Sequence, residues 1–114
     1  MKKIILSLLI CFSIGCSDNI LEPNKVFIYS VTATPTNDES VVIKNNSGST
    51  VNLEGWIIGD MNDPSAYTIP SFNTLGQGGS YIFYASTMGI GINNSGEIIY
   101  LKDPSGQTVD TWSN

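Results

Sequence analysis

The side chains able to do chemistry are few: Cys11 and Cys16, ten carboxylates and five lysines, with neither histidine nor arginine anywhere in the 114 residues. Catalysis by Ser-His-Asp or Cys-His arrangements is therefore excluded for this chain. Lys44 and Lys102 are the lysines a Ser-Lys dyad would draw on, but each falls where a strand meets a solvated turn. Paired carboxylates, as in glycoside hydrolysis, are available by residue type, and they would need two acids facing each other across a cleft. The tightest cluster is Asp60-Met61-Asn62-Asp63, where Asp60, Asn62 and Asp63 offer oxygen ligands for Ca²⁺. It lacks the glycine and closing glutamate of an EF-hand loop, and turn formation accounts for the same residues more simply. No cofactor and no catalytic residue is assigned, and the chain is read as a non-enzyme.

Cys16 is the residue with a defined chemical role. Met1-Lys2-Lys3 forms a positive start, and residues 4–14 are apolar apart from Ser7 and Ser13, the order of a secretory signal. The run is shorter than the roughly 20 apolar residues a membrane span requires. Ser13-Ile14-Gly15-Cys16 resembles the lipobox of bacterial lipoproteins, although Ser13 stands where leucine is usual. That resemblance implies cleavage after Gly15 and acylation of the Cys16 thiol, palmitate being one such chain. Two or more acyl chains anchor a protein stably where one does not. The reading is a signal peptide over 1–15, a lipidated start and tether over 16–25, and a domain over 26–114. The expected location is the bacterial cell envelope, lipid-anchored at the outer membrane and facing the periplasm or the surface.

Loss of 1–15 removes Cys11, so the mature chain holds one thiol and no intramolecular disulfide. It also removes Lys2 and Lys3, leaving three lysines against ten acids. Such a surface opposes nucleic-acid binding, which depends on clustered Lys and Arg. Membrane contact is then expected through the lipid alone.

About 99 residues suffice for one domain with one core. From Val26 onward short β-rich runs alternate with turn residues, the pattern of a sandwich or barrel. Strands are predicted at 26–32, 40–44, 51–53, 56–59, 66–69, 81–85, 97–102 and 108–112, with no helix. Asn45-Asn46-Ser47-Gly48, Gly76-Gln77-Gly78-Gly79 and Asn93-Asn94-Ser95-Gly96 mark turns. Asp103-Pro104-Ser105-Gly106 fits a type I turn joining the last two strands as a hairpin. Tyr81-Ile82-Phe83-Tyr84 and Ile98-Ile99-Tyr100-Leu101 are apolar on both faces, which predicts central or loop-covered strands. Trp56, after the bend at Gly55, is expected as a large plug between sheets.

Four segments in order resemble the lamin tail domain family. Residues 39–45 resemble its opening strand, where an acid precedes an alternating apolar stretch ending in Asn. Residues 51–58 resemble the next block, with Leu53, Gly55 and Trp56 at the recurring spacing. Tyr67-Thr68-Ile69-Pro70 with residues 75–81 resembles the third, and residues 94–110 the closing hairpin. The resemblance spans about 26–112 and implies an all-β, immunoglobulin-like β-sandwich of about 7–9 short strands. It further implies binding or scaffolding, which in lamins means contact with chromatin and membrane proteins. The expected partner is an unidentified envelope protein, with a glycan as the alternative and a carboxylate-based hydrolase as a minor one.

Overall fold

The computed structural model describes residues 23–35 and 38–114. Cys16 and the signal segment lie outside them. Nine strands and one helical turn follow in order: β1 Val26–Thr32, β2 Ser40–Asn45, β3 Val51–Asn52, β4 Ile57–Asp60, β5 Tyr67–Thr68, β6 Thr74–Leu75, β7 Ser80–Tyr84, α1 Ala85–Met88, β8 Ile98–Lys102 and β9 Thr108–Ser113. One sheet runs β9-β8-β4-β5 and a second β1-β2-β7, every pair antiparallel, while β3 and β6 form a two-stranded rim. The result is an all-β, immunoglobulin-like sandwich.

Period-two alternation builds its core. Val41 and Ile43 on β2 and Ile99 and Leu101 on β8 are fully buried, with Val42 and Tyr100 between them on the outer faces. Ile58, Leu53, Ile69 and Phe83 complete the apolar layer between the sheets. Each such side chain contributes about 1.5–3 kcal/mol when fully buried.

Most strand boundaries agree with the alternation to within one or two residues. The fourth begins at Ile57 because Gly55 turns left-handed (φ +86°) and Trp56 N–H donates to Leu53 carbonyl at 3.0 Å, closing a turn through that position. Trp56 is partly buried at the edge of the core cluster. The Asp103 turn joins β8 to β9 as expected, with Gly106 N–H donating to Asp103 carbonyl at 2.9 Å. Two elements lie outside the sequence expectation, β6 and α1. The helix is a single turn, too short to show any periodicity, and it ends on Gly89 in the left-handed region.

The two runs that are apolar on both faces have opposite fates. β8 is central, between β9 and β4, as predicted. β7 is at the margin of its sheet with Tyr81, Ile82 and Tyr84 exposed, which corrects the central or covered placement.

Candidate functional site

β7 and the segment that follows β5 shape an apolar concavity. Ile69 is buried and its N–H donates to Trp56 carbonyl at 2.7 Å, while its carbonyl accepts from Gly55 N–H at 2.9 Å. Pro70 then turns the chain out of the β5 path. Phe72 swings back beneath β7, its ring 4.9 Å from Tyr81 at 89° and 6.2 Å from Phe83. Tyr67 approaches Phe83 from the other side at 6.4 Å. Between this segment and β7 lies a groove of about 310 Å³ without a single charged lining residue. Tyr81 and Tyr84 are 48% and 45% exposed at its margin.

On the outer face of the same sheet, Lys44 Nζ stands 4.9 Å over the Tyr29 ring, and Phe27 meets Tyr29 edge-on at 6.3 Å. A lysine over an aromatic face is a favourable charge–quadrupole contact.

The carboxylates serve a different purpose. Asp60 is buried, and its Oδ1 accepts the N–H groups of Asn62 at 3.0 Å and Asp63 at 2.8 Å. Asp63 carbonyl in turn accepts from Asp60 and Ala66 N–H. The proposed calcium ligands Asp60, Asn62 and Asp63 thus sit together in one loop, with Asp60 Oδ1 engaged in closing it. Among the described residues no group of three His, Cys, Asp or Glu side chains converges as metal ligands would.

Glu97 is buried and accepts from Asn93 N–H at 2.9 Å and Ile98 N–H at 3.0 Å, shaping the turn before β8. Glu39 Oε1 takes Ile92 N–H at 3.0 Å. Asp103 Oδ1 accepts from the Ser105 hydroxyl at 2.6 Å and from Ser105 and Gln107 N–H. The Ser105 hydroxyl is the chief reason that Asp103 titrates below the usual carboxylate value. Lys102 Nζ donates to the Ser65 hydroxyl at 3.0 Å, an exposed contact. Among the described residues no two carboxylates line the groove, so the facing pair that a glycosidase uses is not formed there.

The groove residues were not legible as a site. Tyr81, Ile82 and Tyr84 are expected from sequence on a central or covered strand because apolar runs look alike in buried and marginal strands. No signal within residues 80–84 could have found the site, since edges commonly carry a charge and this strand, like a central one, has none.

Sandwich topology, turn-closing carboxylates and an apolar groove at a sheet margin define an immunoglobulin-like interaction domain. The chain belongs to the lamin tail domain family, whose sequence profile, Lamin Tail Domain, matches residues 21–114. No curated protein matches it.

Proposed function

We propose that this is a lipid-anchored protein of the bacterial cell envelope whose lamin tail domain is a non-catalytic module for protein interaction or scaffolding. The observation that carries the reading is the uncharged groove beside β7, with Tyr81, Ile82 and Tyr84 at 40–48% exposure. Buried aromatic anchors in such clefts dominate binding energy at protein interfaces. The described carboxylates named above hold turns, which leaves the groove to binding rather than bond-breaking. The signal over 1–15 and the lipobox-like residues before Cys16 support export and attachment through acyl chains. The acidic composition favours a protein partner over nucleic acid.

Metabolic labelling with a fatty-acid analogue tests the anchor: label is expected on the wild type and lost in Cys16→Ala. Label retained in that variant overturns the attachment. Crosslinking in intact cells tests the module, with one envelope protein expected to co-purify from the wild type and to be lost from Tyr81→Ser. A glycan is the second reading, favoured by the exposed Tyr81 and Tyr84 rings, and hits on a glycan array that depend on those rings would replace the first.

A further inference from the structure

Among the described residues no strand pairs with the outer edge of β7. Gly79 carbonyl accepts from Asn45 N–H, and Ala85 N–H donates to Glu39 carbonyl, each at 2.9 Å. The antiparallel register between them pairs Tyr81 with Ile43 and Phe83 with Val41. Alternation then turns the backbone N–H and C=O of Ser80, Ile82 and Tyr84 away from β2, toward the open side of the sheet. Residues 80–84 carry none of the charges or prolines that commonly blunt an edge. Directly below this row of donors and acceptors lies the groove walled by Phe72 and Tyr67.

We propose that β7 is completed by an extended peptide that pairs antiparallel with Ser80, Ile82 and Tyr84 and drops alternate apolar side chains into the groove beside Phe72. This deepens the interaction-module reading and rests on it, by naming the kind of partner segment. The groove is uncharged and walled mainly by apolar side chains, so the inserted side chains are apolar, such as valine. The Tyr84 end is not neutral, because Asp38 and Glu39 stand beside it. An antiparallel peptide therefore carries bases ahead of its paired core. A second copy of the chain fits less well, because the Phe83 it would place over the groove is already buried in its own core. Its net negative charge also opposes self-association.

The probe is a labelled peptide, Lys-Lys-Thr-Val-Thr-Val-Thr, titrated against the full-length protein in detergent and read by fluorescence anisotropy. Threonines face the β7 backbone in this register and valines face the groove. Binding is expected, and N-methylation of the threonine nitrogens is expected to weaken it at least about tenfold, while methylation of the valine nitrogens leaves it within about twofold. The peptide with Glu-Glu in place of Lys-Lys is expected to bind several-fold more weakly. Ile82→Pro removes only an outward N–H, a substitution that edge strands accept, and is expected to keep the fold and lose the peptide. Equal effects of the two methylations, or no binding, overturn the proposal. So does a concentration-dependent dimer formed without peptide and abolished by Ile82→Pro. Partner capture that survives a failed peptide titration defeats edge pairing alone, whereas loss of both defeats the interaction module itself.

Discussion

The Asp110 carboxylate accepts the backbone N–H of Ile28 at 2.7 Å, joining β9 of one sheet to β1 of the other. The contact falls where the β1–β2 register shifts, between Ile28 and Ser30. The Asn46 N–H to Lys25 carbonyl bond sets the alternation so that Ile28 N–H points away from β2, and the carboxylate supplies its partner across the gap between sheets. Lys25 supports the junction, donating to Val109 carbonyl at 2.7 Å and standing 3.8 Å from Asp110 Oδ1.

Asp110→Ala strands the Ile28 N–H and is expected to destabilise the domain by about 1–3 kcal/mol. Asp110→Asn keeps an acceptor and is expected to cost less than half as much. Lys25 is 44% exposed, so Lys25→Ala should cost below about 1 kcal/mol. Urea titrations of the three variants rank them; a Lys25 effect as large as that of Asp110→Ala would contradict the assignment.

Gly59 is required for close approach rather than for an unusual φ. A Cβ placed on it would lie 2.2 Å from the Pro64 carbonyl carbon and 2.5 Å from the Asp63 carbonyl oxygen. Those are backbone atoms that cannot swing aside, and the Asp60 loop they belong to is itself held by hydrogen bonds. Gly59→Ala is expected to cost at least about 3 kcal/mol and to lower Tm by roughly 12 °C or more. A melt within a few degrees of wild type would show that the loop yields.

Asn45 is fully buried and saturated. Its Nδ2 donates to Ser49 carbonyl at 2.8 Å and Leu75 carbonyl at 2.7 Å, while its Oδ1 accepts from Ser47 N–H at 3.0 Å and Ser47 Oγ–H at 2.7 Å. Asn45→Ala therefore removes the hub of two turns and should cost about 2–4 kcal/mol in chemical denaturation. Asn45→Asp is expected to be worse, since it loses both donors and buries a charge. Aspartate matching wild type would refute the donor assignment.

Asp103 titrates below its ordinary value of 3.8, chiefly through the Ser105 hydroxyl. A carboxylate depressed in the folded state adds stability that is present above its unfolded pKa and lost as pH falls through the folded one. Tm measured from about pH 5 down to pH 2 is therefore expected to fall less steeply in Asp103→Asn than in wild type, with most of the divergence below about pH 4. Parallel profiles would remove Asp103 from the acid response.

The parts legible in sequence are those where a local rule acts alone. Gly55 and Gly106 announced turns that the structure places at positive φ, and the alternation in β2 announced its buried face. What remained hidden depends on neighbours distant in the chain. Nothing within residues 80–84 distinguishes a marginal strand from a central one, because that difference is the presence of a partner strand. The pairing of Thr74–Leu75 with Val51–Asn52 is too short to leave an alternating pattern. The roles of Asp110 and Glu97 left no local trace, since the amides they satisfy, Ile28 and Asn93, become visible only once strands are paired. The groove combines both difficulties, being assembled from Tyr67, Phe72 and Tyr81 on three separate stretches of chain.

The way the polypeptide reaches β1 carries a mechanical consequence. Asn46 Nδ2 donates to Pro23 carbonyl at 2.9 Å, Asn46 N–H to Lys25 carbonyl at 3.1 Å, and Lys25 is clasped in turn by Val109. A pull transmitted through the chain ahead of Pro23 must break these rim bonds in succession before it loads Val26 and the apolar layer. They act as a strain relief, dissipating small tugs at the border of the domain and leaving the sandwich undisturbed.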